Sequence, residues 1–211
     1  MLIVLDGIDG TGKTTQFELV QKHLTEKGVA FKAISFPDYN EKSSELVKMY
    51  LNGEVEANPY AASTFYAVDR YVSFKKFWEE DYKKGTLILA SRYTTSNLIH
   101  QLPRVPKEQW RDFTKWIENF EYHKLALPRP DLVIYLTLPP KVSMKLIEKR
   151  GEAKDIHENQ AFLEKCSAAG EYIAEKLKWT TVVCGEEERI YSIENINDVI
   201  MYHINSMVDK N

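Results

Sequence analysis

A glycine-rich stretch near the N-terminus, LDGIDGTGKTTQ (residues 5–16), carries the clearest chemistry in the sequence. It has the spacing G-x-x-x-x-G-K-[ST], directly after an apolar run and directly before an amphipathic segment. In such a loop, backbone N–H groups bind phosphate oxygens, the lysine reaches the β- and γ-phosphates, and the threonine hydroxyl contacts Mg²⁺. The stretch therefore predicts a nucleotide polyphosphate site, with Thr14 as the metal ligand. Its residues are Gly7, Ile8, Asp9, Gly10, Thr11, Gly12, Lys13, Thr14 and Thr15.

The charged residues around this loop indicate a second ligand. Asp9 lies inside the loop, where a carboxylate aimed at a polyphosphate would repel it, so Asp9 must serve another group. Arginine is scarce, with seven residues against 21 lysines, yet Arg70, Arg92 and Arg150 lie in stretches expected to face the nucleotide. Their planar guanidinium groups suit phosphate oxygens, which favours two phosphorylated substrates. The others are expected to be surface or helix-capping residues: Arg104, Arg111, Arg129 and Arg189.

Two predicted helices carry side chains suited to a nucleobase. Tyr66 and Arg70 are four residues apart and share a helix face, where a ring can stack on a base beside a cation. The alternative for this pair is a core aromatic residue beside a solvated arginine. Asn97 and Gln101 also share a face and offer amide donors and acceptors to a base edge. Ser91, just before that second helix, stands where enzymes with this loop normally use an acid to hold Mg²⁺ through water.

Five short apolar runs separated by helical segments set the expected fold. The runs cover residues 2–6, 30–36, 86–91, 131–138 and 180–184. Strands that alternate with helices in this way predict a doubly wound α/β domain with a mostly parallel sheet, and ligands bind outside the carboxyl ends of such strands. The helical segments 14–27 and 59–84 end at glycines, and the charged faces of 59–84 and 106–126 are expected to face solvent.

Composition excludes several function classes. The chain has 211 residues, 44% of them hydrophobic, and a net charge of -3, so we expect one globular domain without a global basic field for nucleic acid. No apolar run approaches the roughly 20 residues of a membrane span, and no export signal is recognisable at the N-terminus. Cys166 and Cys184 lie far apart and outside any metal-spaced cluster, so they are expected to be buried thiols. We therefore expect a cytoplasmic protein.

Taken together, these motifs resemble the thymidylate kinase family over nearly the whole chain, from Leu2 to about Cys184. The resemblance rests on the GIDGTGKTTQ loop, FPDY, YAVDR, the Arg-Tyr pair after the third strand, PRPDLVIYL and KRGE. It implies a P-loop NTPase fold of the nucleoside monophosphate kinase type, with a five-stranded parallel sheet flanked by helices. It also implies one kinase domain over residues 1–211, a lid at about 149–158, and a homodimer.

The resemblance also implies a reaction and a role for each residue. ATP with Mg²⁺ is the expected donor, and dTMP is the expected acceptor of the γ-phosphoryl group. Lys13, Arg92, Arg150 and Asp9 are the implied catalytic residues, with Asp9 at the sugar 3'-hydroxyl and Arg150 supplying charge from the lid, as in the bacterial type. The acceptor is expected to contact Asp9, Phe36, Pro37, Tyr39, Tyr66, Arg70, Arg92, Asn97 and Gln101, with Tyr66 stacked on the base.

Two departures from the family pattern leave alternatives open. Tyr39 replaces an arginine that holds the acceptor phosphate, so we expect either weaker phosphate binding or compensation from another cation, such as Lys42 or Lys48. Ser91 replaces the usual acid, so Mg²⁺ loses a carboxylate. The acceptor can then be dUMP or another pyrimidine monophosphate, or the chain can be a nucleotide-binding relative with weak catalysis.

Overall fold

Five parallel strands form the central sheet of the computed structural model, which describes residues 1–150 and 159–209, with the backbone alone at Arg150. The sheet has the order β2-β3-β1-β4-β5. Its strands are β1 (Leu2–Gly7), β2 (Phe31–Ser35), β3 (Leu87–Ser91), β4 (Leu132–Thr137) and β5 (Thr180–Val183). Each begins and ends within one residue of its predicted bounds, so the predicted parallel sheet is confirmed. Two further short strands, β6 (Gly185–Glu186) and β7 (Arg189–Ile190), form an antiparallel pair.

Helices cover the sheet and occupy the predicted segments. The α-helices are α1 (Lys13–Glu26), α2 (Glu45–Leu51), α3 (Pro59–Ser73), α4 (Glu79–Lys83), α5 (Thr94–Gln101), α6 (Trp110–Glu118), α7 (Pro140–Arg150), α8 (Gln160–Leu177) and α9 (Ile193–Val208). π-Helical turns follow α3 (Phe74–Trp78) and α6 (Asn119–Lys124), and 3-10 turns span Lys42–Ser44, Leu102–Arg104 and Lys107–Gln109. Helix α3 begins where predicted because the Asn58 side chain accepts from the Ala61 N–H at 2.9 Å and Pro59 is the first helical residue.

Alternate residues of β1 pack on opposite faces of the sheet, which divides the core into layers. Ile3 and Leu5 belong to a cluster that includes residues of α1 and α9, whereas Leu2 and Val4 pack with Trp78 on the other face. The inner strands β3, β1 and β4 are almost fully buried and read as continuous apolar runs, whereas the edge strands β2 and β5 are partly exposed. Both cysteines are buried free thiols, as predicted.

The parallel register brings the suspected residues to one edge of the sheet. Leu5 of β1 pairs with Ser91 of β3, and the backbone N–H of Arg92 donates to the Leu5 carbonyl at 2.9 Å. The loop after β1, the segment after β2 and Arg92 therefore lie side by side. In the described parts of the chain, no helix is both long and apolar enough to span a bilayer.

Candidate active site

A cavity of about 610 Å³ opens at this edge of the sheet, within the usual size range of a small-molecule site. Most of the predicted site residues line it, and the sequence segments they come from lie far apart in the chain. The lining residues singled out in the sequence are Asp9, Gly10, Gly12, Lys13, Thr14, Thr15, Phe36, Pro37, Tyr39, Tyr66, Arg70, Ser91, Arg92, Asn97 and Gln101. The predicted members Gly7, Ile8 and Thr11 belong to the same loop but do not line the cavity.

Hydrogen bonds from the lysine connect the two ends of the phosphate-binding loop. Lys13 Nζ donates to the carbonyl oxygens of Gly7 at 3.0 Å and Ile8 at 2.6 Å. The Thr11 hydroxyl donates to the Ile8 carbonyl at 2.9 Å, and the Ile8 side chain is buried in the core. The loop thus has a defined shape that holds Lys13 at the cavity.

Gly10 shows why this loop carries no arginine beside its acid. Its φ is +79°, and a Cβ atom built there would stand 2.4 Å from the carbonyl oxygen of Ser143 in α7. Any side chain at this position would have to displace α7 or the loop. The absence of a side chain therefore allows α7 to pack directly on the loop.

Asp9, the acid inside the loop, lies beside two cations. Arg92 Nη2 donates to Asp9 Oδ1, and Lys13 Nζ lies 3.9 Å from the same oxygen. Arg92 has φ of +63°, a left-handed conformation that costs a non-glycine residue of the order of 1–2 kcal/mol. Burial alone would lower the pKa of Arg92, but the charges of Asp9 and Asp6 outweigh it and raise that pKa.

Asp6 is a buried acid that the sequence reasoning missed. Its carboxylate accepts from the backbone N–H of Gly7 at 2.8 Å and from the hydroxyls of Thr95 at 2.5 Å and Ser96 at 2.8 Å. These bonds tie the loop after β1 to the first turn of α5. The sequence could have indicated a functional role for Asp6, because it is an acid at the end of an otherwise apolar run.

His100 is a second missed residue in the cavity wall. Its Nε2 lies 3.0 Å from Arg92 Nη1, and its Nδ1 lies 3.8 Å from Cys166 Sγ. A guanidinium group only donates, so Nε2 accepts and the proton of the neutral ring is on Nδ1, facing the sulfur. Arg92 is therefore held by Asp9 on one side and by His100 on the other.

Arg70 lines the cavity but is anchored from behind by a carboxylate. It donates through Nε to Glu121 Oε2 and through Nη2 to Glu121 Oε1, both at 2.7 Å. Burial lowers the pKa of Arg70, and the attraction and hydrogen bonds of Glu121 more than compensate and raise it. The expectation that the charged face of 106–126 points to solvent is thus wrong at Glu121, which is fully buried.

Arg104, which was expected to be a surface or helix-capping residue, contacts a residue that lines the cavity. It is half-buried, and it donates to Gln101 Oε1 at 2.7 Å, to the Tyr50 hydroxyl at 2.6 Å and to the Ala57 carbonyl at 2.7 Å. Because the guanidinium group occupies the oxygen of the Gln101 amide, the Nε2 donor is the atom left for a ligand. The contact with Gln101 could have been expected from the sequence, since Arg104 follows Gln101 by three residues.

The segment after β2 is fastened to α3 by a buried acid. Asp69 accepts from the Asp38 backbone N–H at 2.9 Å and from the Ser43 hydroxyl at 2.6 Å. Burial raises the pKa of Asp69, while those hydrogen bonds oppose the shift. The same segment carries Tyr39, which lines the cavity and is 51% exposed.

Other predicted residues have a mixed outcome. Tyr66 faces the cavity, with its ring edge-on to Tyr50 at 6.4 Å between centroids. Lys48 pairs with Glu45 at 2.6 Å, and neither it nor Lys42 is among the described residues that line the cavity. The lid expected at 149–158 lies outside the described residues apart from Lys149 and the Arg150 backbone, so the Arg150 side chain is not described.

Oxygen donors suited to Mg²⁺ line the cavity. They are the hydroxyls of Thr14 and Ser91 and the carboxylate of Asp9. Mg²⁺ is usually held by one or two protein oxygens together with substrate phosphates and water. Within residues 1–149 and 159–209, no three His, Cys, Asp or Glu side chains form a ready metal cluster. The donor set therefore fits a Mg²⁺ ion that arrives with its nucleotide.

Comparison with known proteins extends the resemblance. The family model described as Thymidylate kinase matches residues 5–194. The thymidylate kinase of Caenorhabditis elegans is 26% identical over 191 residues, covering 86% of this chain and 82% of that protein. The thymidylate kinase of Mycobacterium tuberculosis is 25% identical over 179 residues, covering 80% and 83%. A probable thymidylate kinase of Pyrococcus horikoshii is 31% identical over 153 residues, covering 71% and 70%.

Proposed function

The chain belongs to the thymidylate kinase family, and from that premise we propose that it transfers the γ-phosphoryl group of ATP to dTMP, giving ADP and dTDP. One observation carries the proposal. A single cavity joins the lysine of a phosphate-binding loop to a buried polar group made of Arg70, Asn97 and Gln101. The loop suits a nucleoside triphosphate, and the polar group suits the base of a second nucleotide.

Transfer needs positioning and charge stabilisation more than proton chemistry, because the acceptor phosphate is already anionic. Lys13 Nζ, held at two loop carbonyls, is placed to exchange those bonds for oxygens of the transferred phosphoryl group. Arg92, held by Asp9 and His100, would hold the acceptor phosphate. Fixed cations of this kind stabilise the charge that develops in the transition state.

Asp9 serves the acceptor side in this proposal. Its pairing with Arg92 orients the carboxylate toward the part of the cavity that the acceptor sugar and phosphate would occupy. Mg²⁺, bound at Thr14 together with ATP, would neutralise phosphate charge there. Thr14 and Ser91 supply hydroxyl oxygens where the family pattern supplies an acid in addition.

We also propose that the protein works as a homodimer. Several apolar side chains of α2, α3 and the π-turn after it are more than a third exposed, namely Leu46, Met49, Val68, Tyr71 and Phe77. Helices α2 and α3 pack on each other, and a contiguous apolar patch on their surface would suit a subunit contact. Light scattering should give twice the 24.5 kDa of one chain, and a monomer at micromolar concentration would contradict this proposal. A cytoplasmic location stays a prediction from composition.

The activity is tested by coupled detection of ADP. ATP and Mg²⁺ are held constant while dTMP, dUMP, dCMP, dGMP and AMP are offered in turn. We expect the highest kcat/KM with dTMP. Preference for dUMP would indicate the alternative pyrimidine acceptor, and absence of turnover in protein that binds ATP would contradict the kinase proposal.

A further inference from the structure

Glu121 lies outside the cavity lining, yet it connects the residues expected to read the base. It is fully buried in the π-turn after α6. Its two oxygens accept hydrogen bonds from Arg70, from the Thr94 hydroxyl at 2.8 Å and from Asn97 Nδ2 at 2.8 Å. One carboxylate therefore holds a cation on α3 and an amide on α5 in a fixed relation.

The contact with Glu121 also decides which atom of Asn97 faces a ligand. A carboxylate accepts hydrogen bonds and donates none, so the amide must present its nitrogen. The Ser63 carbonyl, which accepts from the same Nδ2 at 3.2 Å, favours the same orientation. Asn97 Oδ1, an acceptor, is thus the atom left for the cavity.

The neighbouring groups present donors. Arg70 uses Nε and Nη2 for Glu121, so Nη1 is the nitrogen not engaged with that carboxylate. Gln101 presents Nε2, because Arg104 occupies its oxygen. An acceptor flanked by donors complements a ring N–H flanked by carbonyl groups, which is the edge of thymine and uracil. Cytosine reverses this pattern at the ring nitrogen and at the exocyclic amine.

Glu121 also sets the charge of this end of the cavity. Its carboxylate neutralises Arg70 at 2.7 Å in a fully buried setting, where an unpaired cation would attract a second anion. With the pair intact, this end of the cavity suits a neutral base, and the phosphate is left to Arg92 and Lys13.

We infer that Glu121 is a specificity-determining positioning residue, which selects acceptors with an imide edge by fixing the polarity of Asn97 and the orientation of Arg70. The inference rests on the proposed function. It goes further by assigning base selection to a residue that never touches the substrate.

The test compares dTMP with 5-methyl-dCMP, which has the same shape at the ring methyl and the opposite polarity at the base edge. In Glu121→Gln, an amide nitrogen in place of Oε1 faces both Arg70 Nη2 and Asn97, so Arg70 loses that bond and shifts, and the Asn97 amide can reverse at the expense of the 3.2 Å bond to Ser63. We expect the ratio of kcat/KM values for dTMP over 5-methyl-dCMP to fall about tenfold, the effect of one misdirected hydrogen bond. The change should appear mainly as a higher KM for dTMP.

Thr94→Val is the matched control, because it removes one hydrogen bond to Glu121 and leaves those of Arg70 and Asn97. Its ratio should stay within about twofold of the wild-type value, on the scale of a change well below one hydrogen bond. An unchanged ratio in Glu121→Gln overturns the inference, since a general loss of structure would lower both acceptors alike.

A second variant tests the inference if Glu121→Gln does not fold. Asn97→Ala removes the amide that Glu121 orients, so the ratio must fall there too, and an unchanged ratio again overturns the inference. Failure of the proposed function is distinguishable, because it would appear as wild-type protein that does not phosphorylate dTMP at all.

Discussion

At the scale of single residues, the cavity holds cations and carboxylates in compensating pairs. Arg92 pairs with Asp9, and Arg70 pairs with Glu121. Such pairs keep the cations oriented in the absence of substrate, and they leave little uncompensated positive charge for two phosphorylated ligands. We therefore expect the Mg²⁺ that arrives with ATP to strengthen binding of the second nucleotide.

Asp69 provides a prediction about pH, because burial raises its pKa above the usual 3.8. The folded state then holds the proton more tightly than the unfolded chain, so stability from this group is fully present below 3.8 and is lost as pH rises through the folded pKa. Asp69→Asn keeps an acceptor for the Asp38 N–H and does not titrate. Its free energy of unfolding relative to wild type should therefore increase as pH rises through that window.

Asp81→Asn is the control with the opposite sign. The hydrogen bond from Lys32 lowers the pKa of Asp81, so its contribution is present above 3.8 and is lost as pH falls through the folded pKa. Urea unfolding at a series of pH values gives both differences. Equal slopes for the two variants would contradict the assignment for Asp69.

At the scale of elements, α7 packs so closely on the phosphate-binding loop that there is no room for a side chain at Gly10. Adding one methyl group tests this contact. Gly10→Ala places Cβ against the Ser143 carbonyl and adds the strain of a positive φ. We expect a loss of about 2–4 kcal/mol in unfolding free energy, from overpacking and backbone strain together. Weaker ATP binding should accompany it, because the loop has to move.

Gly28→Ala separates the two contributions. Gly28 ends α1 with φ of +68°, and a methyl group there would meet no atom of the described residues within 4 Å beyond its chain neighbours, so this variant reports the backbone strain alone. We expect a loss of about 1 kcal/mol with unchanged ATP binding. Thermal unfolding and nucleotide titration of both variants give the comparison, and equal losses at the two glycines would contradict the contact with Ser143.

The elements themselves were predictable, and the contacts between them were predictable only in part. Apolar runs predicted all five strands: the three inner strands are buried on both faces, and the partly exposed edge strands β2 and β5 still carry apolar, β-branched residues. Glu121 was assigned to a solvent face. However, it follows the buried residues Trp110, Phe113 and Ile117 at helical spacing, with offsets of 0, 3, 7 and 11 residues along the chain, so it lies on the same buried helix face. A carboxylate on such a stripe is buried only if a cation from another element meets it, and Arg70 lies 51 residues away. No local pattern contains that pairing.

The same reasoning explains the other outcomes at the site. The loop from Gly7 to Thr15 could be recognised because its chemistry lies in consecutive residues. Arg104 was assigned to the surface because its partners Tyr50 and Ala57 come from a distant segment. His100 lies between Arg92 and Cys166 of α8, and the contact with Cys166 also spans distant elements.

At the scale of the whole molecule, both nucleotides are expected to stabilise the fold through one cavity that joins α1, β2, β3, α3 and α5. A ligand that binds only the folded state at 100 times its Kd adds about 2.7 kcal/mol. For a chain of this length, that corresponds to a rise in Tm of roughly 5–10 °C. We expect Mg²⁺-ATP and dTMP each to raise Tm, and the two together to raise it further. No shift with dTMP at saturating concentration would contradict an acceptor site in this cavity.

The central claim is the transfer of a phosphoryl group from ATP to dTMP, and the most direct measurement follows that group. The protein is incubated with Mg²⁺, dTMP and ATP labelled at the γ-phosphorus, and the products are separated by chromatography, with Lys13→Met as the control. The account predicts that the label appears in dTDP in amounts equal to the ADP formed, and that Lys13→Met abolishes it. Label found only in inorganic phosphate, with no labelled dTDP, would contradict the account.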